Sequence, residues 1–165
     1  MLASGVALPS ALRAAELLRD DWGVHADVWS VTSWNELRRD GLEVDQWNLL
    51  NPGEERRTAF VAQQLGGRPG PVVAVSDFMR AVQDQIMPWV GPDFASLGTD
   101  GWGMSDTRGA LRRHFKVDAE SIAVQTLAQL ARRGEVEAGV PLHAIEKYAL
   151  LDVSAADPGS GLGES

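Results

Sequence analysis

Cysteine is absent from the 165 residues of this chain. Its absence excludes disulfide bonds, catalysis by a thiolate and zinc sites with cysteine ligands. A chain of this length buries roughly two-thirds of its unfolded surface when it folds, so one hydrophobic core can stabilise it without a disulfide or a metal ion. Composition therefore predicts a single domain, and it is compatible with a reducing compartment.

Long apolar runs and an excess of positive charge are also missing. No segment approaches the roughly 20 apolar residues that cross a bilayer, and the first dozen residues lack the basic leader of a signal peptide. Lys and Arg number 15 against 23 Asp and Glu, which leaves a formal net charge of −8. This charge argues against nucleic acid or an anionic membrane as a partner, and it is compatible with a positively charged partner surface. We expect a soluble, cytoplasmic protein.

Histidine is scarce, and no catalytic motif is recognisable. His25, His114 and His143 share no i, i+4 spacing and lie in no HExxH pattern, so we expect structural or surface roles for them rather than a metal site. A G-x-S-x-G elbow, which would present a nucleophilic serine, does not occur. The residues alone predict no catalytic, cofactor-binding or metal-binding site.

Predicted strands alternate with predicted helices along the chain. Apolar or β-branched runs at 2–7, 26–31, 71–76 and 94–97 predict strands, and helical periodicity follows each of them. Connections long enough to hold a helix favour a mostly parallel sheet covered on both faces. Because a strand begins at residue 2, we expect the domain to come from a longer polypeptide. The tail has little apolar content, which predicts a domain over 1–151 and a flexible tail over 152–165.

Capping residues and helix breakers predict several helix boundaries. Leu8-Pro9-Ser10 opens a first helix that ends at Gly23, and Ser33 opens a capping box for the second helix. We expect Asp77 and Asp118 to cap later helices. The predicted buried stripes are Ala11, Ala15, Leu18 and Trp22 in the first helix, Phe78, Val82, Ile86 and Trp89 after Asp77, and Ala123, Leu127, Leu130 and Ala131 after Asp118.

Two regions carry further expectations. Pro88 is expected to kink or end the helix that follows Asp77. The segment 41–67 contains a turn at Asn51-Pro52-Gly53, and 57–65 fits either a short helix or an extended segment. A final helix is predicted at about 142–151.

The least generic stretch is the glycine-rich loop after the predicted strand 94–97. Its order G-x-x-G-x-G is not the dinucleotide fingerprint, and its oxygens miss the spacing of a calcium loop. A loop at the carboxyl end of a sheet strand is where α/β domains meet ligands or neighbours. Ser105 or Asp106 is placed to cap the next helix. The candidate residues are Gly98, Asp100, Gly101, Trp102, Gly103, Ser105, Asp106 and Arg108.

Tryptophan is abundant, with six residues in the chain. Each indole buries a large apolar area and satisfies its N–H at a boundary between apolar and wet surroundings. Packing of helices on a sheet absorbs many such side chains. The number nevertheless favours a domain that packs against something beyond itself.

Three segments together resemble one known enzyme family. They are LLRDDWGVHADVWSVTSWNELRRDGLEVDQWNLLNP, VVAVSDFMRAVQDQI and LGTDGWGMSDTRGALRRHFKVDAESIAVQTLAQLARRGEV, and they cover nearly the whole chain. They are similar to the carboxyl-terminal part of the homodimeric type of pyruvate dehydrogenase. The shorter pattern G-x-D-x-[WF]-G-x-S, which begins at Gly98, also resembles the third domain of transketolase.

The resemblance implies a three-layer αβα sandwich with a mainly parallel sheet of about five strands. In this family the first two domains bind thiamine diphosphate and magnesium across a dimer interface, and the cofactor oxidatively decarboxylates pyruvate and passes the acetyl group to a lipoyl group. The metal-binding GDG motif is absent from this chain, and Thr99-Asp100-Gly101 imitates only part of it. The resemblance therefore implies that this fragment binds no cofactor and contributes no catalytic residue.

Three functional hypotheses follow from the resemblance and the residues. In the first, the chain is a non-catalytic domain that supports the dimer and contacts the missing thiamine-binding domains. Its loop from Gly98 to Asp106 is turned toward the interdomain cleft or toward the route that the lipoyl domain takes. In the second, it docks the lipoyl acyltransferase component, whose basic surface would suit the acidic charge. In the third, it is an independent flavodoxin-like nucleotide binder.

Overall fold

The computed structural model of this chain describes residues 1–152 and 154. The strands are β1 (Leu2–Ala3), β2 (Trp29–Ser30), β3 (Val72–Val75) and β4 (Phe94–Leu97). The helices are α1 (Leu8–Trp22), α2 (Trp34–Leu50), α3 (Phe60–Leu65), α4 (Arg80–Asp84), α5 (Met87–Val90), α6 (Arg108–His114), α7 (Ala119–Arg132) and α8 (Val140–Lys147). Most of the predicted tail, 152–165, lies outside the described residues, and the domain boundary at residue 151 stays a prediction.

The four strands of the described residues form one parallel sheet in the order β2-β1-β3-β4. Leu2 lies opposite Trp29 of β2 and opposite Ala74 of β3. Because β2 and β3 flank β1 on opposite sides, the chain changes the direction in which it adds strands after β2. The predicted α/β class with a parallel sheet is confirmed, and the described sheet has one strand fewer than the five expected.

Alternate side chains of the strands face two separate cores. Val73 and Val75 pack into a cluster that includes residues of α1, α7 and α8. Leu2 and Ala74 pack on the opposite face, with Trp34 of α2 and with residues of α3. This alternation follows from the two-residue period of a strand, and burial on both faces explains why β3 is apolar throughout. The layers are those of an αβα sandwich, as the resemblance implied.

The first strand is shorter than predicted, while α1 has the predicted bounds. Gly5 has a φ of 55°, so it leaves the extended conformation and ends β1 before a 3₁₀ turn at Gly5–Ala7. Gly23 closes α1 with a φ of 65°. Ala14 is fully buried, whereas Ala15 and Trp22, which we expected on the inner stripe, are half-buried.

Helix α2 accounts for residues 41–50 of the segment that the sequence left unassigned. The Ser33 hydroxyl accepts a hydrogen bond from the N–H of Glu36 at 3.2 Å, as the capping box predicted. The helix runs through Gly41, whose missing side chain leaves room for the ring of Trp89. The residues between the turn at Asn51 and α3, which begins at Phe60, form a loop. Of the two alternatives for 57–65, the short helix is confirmed over Phe60–Leu65.

The predicted helix after Asp77 is two short helices. Asp77 does not cap a helix, because α4 begins only at Arg80. Phe78, expected on the buried stripe, lies before α4 and is 54% exposed. Pro88 lies in the first turn of α5, where its missing N–H costs nothing, and it cannot continue a helix from α4. Ile86, between the two helices, is buried as expected.

The last two helices pack around the core on the α1 side. The Asp118 carboxylate accepts a hydrogen bond from the N–H of Ser121 at 3.3 Å, so it caps α7 as predicted. Ala123, Leu127 and Leu130 are buried, and Ala131 is half-buried. The final helix, α8, ends at Lys147, four residues earlier than expected. Within the described residues, we find no helix with the length and apolar character needed to cross a bilayer.

Asp21 connects the end of α1 to the end of α8. Its carboxylate accepts hydrogen bonds from Lys147 Nζ at 2.7 Å and from the Tyr148 hydroxyl at 2.8 Å. The hydrogen bond from Lys147 lowers the pKa of Asp21 most, and the hydrogen bond from Tyr148 lowers it further. Trp22 Nε1 in turn donates to the Tyr148 hydroxyl at 2.9 Å. One carboxylate therefore orients both residues at the end of α8.

We expect Asp21→Asn to lower the free energy of unfolding by about 1 kcal/mol at pH 7. The Asp21 carboxyl has a lower pKa in the folded chain than in the unfolded chain. Its contribution to stability is therefore present above the unfolded pKa of about 4 and is lost as the pH falls through the folded pKa. Urea unfolding at pH 7 and at pH 3 should show the difference between the two chains closing at the lower pH. Glu54→Gln, at an exposed turn, is the control. A gap of the same size at both pH values would contradict the prediction.

Candidate functional site

The carboxyl edge of the sheet collects the turns that follow β1, β3 and β4. Strands β1 and β3 are neighbours that lead to opposite faces of the sheet, so a crevice opens between the turns after them. Ser4 and Gly5 follow β1, and Ser76 and Asp77 follow β3. The candidate loop from Gly98 follows β4 at the same edge.

A buried line of hydrogen bonds forms the floor of this edge. Trp34 Nε1 donates to Ser4 Oγ at 2.9 Å, and Ser4 Oγ donates to Ser76 Oγ at 2.9 Å. All three side chains are buried. Satisfied polar groups in such a place hold the turns in one arrangement. Sequence reasoning missed Ser4 and Ser76, although a serine directly after each of two apolar strands is a signal that could have found them.

The first three residues of the candidate loop are anchored to the turn before α4. Thr99 Oγ1 donates to the carbonyl of Asp77 at 2.6 Å. Both carboxylate oxygens of Asp100 accept from Arg80, one from its N–H and one from Nε, each at 3.0 Å. Asp100 therefore satisfies the first N–H of α4 from another segment. These residues have a structural role.

Gly98 permits this anchoring, because a Cβ there would overlap the carbonyl oxygen of Phe78 and lie 2.9 Å from the Arg80 nitrogen. We expect Gly98→Ala to cost about 1–3 kcal/mol of stability, since backbone must move to admit the methyl group. Gly103→Ala is the matched control: no atom lies within 4 Å of the position its Cβ would take, so its effect should stay within about 0.5 kcal/mol. Urea unfolding of both variants checks the pair, and equal losses would refute the close approach.

The second half of the loop points into solvent. Gly101 has a φ of 99°, which turns the chain outward. Trp102 is 93% exposed and Met104 is 53% exposed. Ser105 and Asp106 are exposed as well, and neither caps α6, because the Thr107 hydroxyl accepts from the N–H of Ala110 at 3.3 Å.

Two other candidate residues complete the loop. Asp106 instead accepts a hydrogen bond from the N–H of Thr107 at 2.7 Å, one residue before the helix. Arg108 is exposed in the first turn of α6, and Gly103 is exposed beside Trp102. The structure thus divides the predicted set into an anchored part, Gly98 and Asp100, and an outward part, Gly101 to Arg108.

Exposed apolar side chains accumulate at this edge. They follow the carboxyl ends of β1, β3 and β4, and we call them the carboxyl-edge surface: Val6 (59% exposed), Phe78 (54%), Met79 (58%), Trp102 (93%) and Met104 (53%). Exposed apolar side chains gathered in this way are typical of surfaces that bind another protein or domain.

A small crevice lies beside this surface, between the turn after β1 and α6. Its volume is about 220 Å³, and Ala7, Leu111, Phe115 and Val117 contribute apolar walls. Pockets for cofactors and drug-sized ligands usually hold roughly 300 to 1,000 Å³. The crevice therefore suits a side chain better than a nucleotide.

The residues of this edge do not fit thiamine diphosphate with its magnesium ion. The ion needs several oxygen ligands, whereas Asp100 is engaged by Arg80 through both oxygens. In the part of the chain that the structure describes, no three His, Cys, Asp or Glu side chains are grouped to hold a metal ion. His114 packs edge-on against Phe115, with ring centroids 4.9 Å apart.

Behind the crevice, Arg113 anchors α6 to the rest of the fold. Its side chain is 1% exposed, and Nε donates to the Asp118 carboxylate. Nη1 donates to the carbonyls of Tyr148 at 3.2 Å and Ala149 at 3.3 Å. The Glu120 carboxylate forms an ion pair with Arg113 Nη2 at 3.2 Å, without the alignment of a hydrogen bond. Burial raises the pKa of Glu120. Sequence reasoning assigned no role to Arg113.

Comparison with known proteins adds independent findings. Residues 1–118 match the family described as the transketolase-like TK C-terminal domain. The chain is similar to the pyruvate dehydrogenase E1 component of Mycolicibacterium smegmatis, with 56% identity over 156 residues, 94% of this chain and 17% of the relative. The same component of Mycobacterium tuberculosis is 51% identical over 166 residues, 98% of this chain and 18% of the relative.

A more distant relative agrees with these matches. The pyruvate dehydrogenase E1 component of Escherichia coli strain K12 is 42% identical over 159 residues, 96% of this chain and 18% of the relative. This chain thus spans less than a fifth of the length of these relatives, and it matches their carboxyl-terminal region. The resemblance inferred from the sequence motifs is confirmed. The chain belongs to the family of transketolase-like C-terminal domains, in the form similar to that of pyruvate dehydrogenase E1 components.

Proposed function

We propose that this chain is the non-catalytic carboxyl-terminal domain of a thiamine diphosphate-dependent pyruvate dehydrogenase that transfers acetyl groups to lipoyl groups. The observation that carries the proposal is 56% identity over 94% of the chain to a pyruvate dehydrogenase E1 component. The resemblance assigns the cofactor to other domains, so we place the reaction there, and we propose that the enzyme is cytoplasmic. This domain supplies a surface.

The proposed role of that surface is to support the catalytic domains and the dimer. The loop is anchored at Gly98 and Asp100, and beyond this anchor it presents the exposed indole of Trp102 at the carboxyl edge of the sheet. Aromatic side chains of this kind are the residues that most often dominate binding energy at protein interfaces. The carboxyl-edge surface would therefore face the thiamine-binding domains of the same subunit or of a second subunit.

The test compares the full-length polypeptide with one that ends before this domain. We expect the full-length protein to be a dimer that reductively acetylates lipoyl groups with pyruvate, thiamine diphosphate and Mg²⁺. The shortened protein should be mostly monomeric and should lose most of its activity. The isolated 165-residue chain should have no activity. Pyruvate decarboxylation by the isolated chain would refute the proposal, as would an unchanged dimer and an unchanged rate in the shortened protein.

Docking of the lipoyl acyltransferase component is a second candidate, favoured by the net charge of −8. It predicts that this domain alone captures the acyltransferase at low salt and releases it at high salt, because exposed charges are screened. If the full-length protein captures the acyltransferase and this domain alone does not, the result favours the supporting role instead.

A further inference from the structure

A groove crosses the opposite edge of the sheet, where the amino ends of β1, β2 and β3 meet. Its volume is about 950 Å³. Val24, Ala26 and Val28 line one part, Leu12 and Leu130 close it on the side of α1 and α7, and Leu65 and Pro71 lie on the other side. The Asp27–Arg68 ion pair lies at its rim, with 2.8 Å between Oδ2 and Nη1. We call this region the amino-edge groove.

The nitrogen of Met1 lies in this groove and is bonded like a peptide N–H within a strand. It donates to the carbonyl of Asp27 at 2.5 Å, and the carbonyl of Met1 accepts from the N–H of Trp29 at 2.9 Å. These two bonds form one rung of a parallel ladder, which places Met1 opposite Val28. Burial lowers the pKa of the Met1 amino group, whereas an uncharged peptide N–H would make the same bond without that cost.

The register of the sheet shows where further residues of β1 would lie. Leu2 is opposite Ala74, so the residue directly before Met1 would be opposite Val72, and its carbonyl would face the N–H of Val73. The residue before that one would be opposite Ala26 of the β2 segment, since Leu2 is opposite Trp29. Pro71 has no N–H, so the ladder with β3 cannot continue farther.

We propose that the amino-edge groove holds an extended continuation of β1, two residues long, supplied by the polypeptide that precedes this domain in the full-length protein. The relatives are more than five times longer than the matched region, so such a polypeptide exists in them. The inference rests on one part of the proposed function, namely that the preceding polypeptide of the enzyme is joined directly to Met1.

The two continuing positions face different surroundings. Side chains alternate along a strand, so the second residue before Met1 shares the face of Met1, beside Ala26 and Val28, which pack against the larger core. The first residue before Met1 shares the face of Leu2 and lies by the Asp27–Arg68 pair at the rim. The groove thus selects a β-branched apolar residue at the second position and accepts a polar one at the first.

The test adds residues to the 165-residue chain and needs no enzymatic assay, so its failure is separate from failure of the proposed function. Three proteins carry a Gly-Ser leader followed by Val-Thr, Thr-Val or Gly-Gly directly before Met1. Val-Thr places valine on the inner face, Thr-Val has the same composition in the wrong register, and Gly-Gly supplies only backbone.

We expect the Val-Thr protein to have a melting temperature about 2–4 °C above that of the Gly-Gly protein, with Thr-Val close to Gly-Gly. Hydrogen exchange of the Val73 and Asp27 amides should be at least about tenfold slower in the Val-Thr protein than in the 165-residue chain without added residues. Identical melting temperatures of the three extended proteins, with exchange of these two amides as fast as in the chain without added residues, would overturn the proposal.

Discussion

Arg113→Met is expected to lower the free energy of unfolding by about 3–5 kcal/mol, the largest effect that we expect of any single substitution in this chain. The guanidinium is 1% exposed and is the counter-ion of Asp118, whose side chain is 3% exposed. Methionine fills much of the volume but leaves that carboxylate buried without a positive partner. It also removes the donor to the carbonyls of Tyr148 and Ala149, which tie the end of α8 to α6.

Urea unfolding at pH 7 measures the loss, which is a large fraction of the roughly 5–15 kcal/mol that stabilises a typical domain. Arg132→Met, at an exposed position near the end of α7, makes the same chemical change and should stay within about 0.5 kcal/mol of the parent chain. If Arg113→Met also stayed within about 1 kcal/mol, the ion pair would not be the anchor of α6.

Trp102→Ala should leave the isolated chain as stable as before and weaken the proposed dimer of the full-length protein. The indole is 93% exposed, so its removal creates no cavity in this domain. If the carboxyl-edge surface packs against a domain of the second subunit, the indole becomes buried there, and truncation at such a site costs about 2 kcal/mol or more. The dissociation constant of the dimer should then rise about 30-fold, as sedimentation equilibrium can measure.

The matched control for this second prediction is Leu49→Ala. Leu49 is 77% exposed near the end of α2, outside the carboxyl-edge surface. It should change neither the stability of the isolated chain nor the dissociation of the dimer. Equal effects of the two substitutions on the dimer would argue against a specific role for the carboxyl-edge surface.

The sequence predicted the alternation of strands and helices because its local signals agree with the tertiary structure. The run at β3 is apolar on both faces, Ser33 and Asp118 cap the helices that follow them, and Gly23 ends α1. The errors arose where a nonlocal contact or a small residue determines the local structure. Asp77 resembles a helix cap, yet α4 begins only at Arg80, where Asp100 from another segment supplies the cap.

The candidate loop was identified from its glycines, but its division into two parts was not predictable. Gly98 and Gly103 look alike in the sequence, and only the approach of the Phe78 carbonyl distinguishes them. Arg113 likewise resembles its neighbour Arg112 in a basic stretch. Its burial depends on Asp118 and on the turn at Tyr148, which lie 5 and 35 residues away.

The most direct measurement compares hydrogen exchange in the isolated 165-residue chain and in the full-length E1 polypeptide. In the proposed function, this domain is a scaffold whose carboxyl-edge surface is covered by the domains that carry out the reaction. We therefore expect amides in 101–106 to exchange at least about tenfold more slowly in the full-length protein, while amides near Leu49 exchange equally in both. Equal exchange of 101–106 in the two proteins would contradict the proposed scaffold.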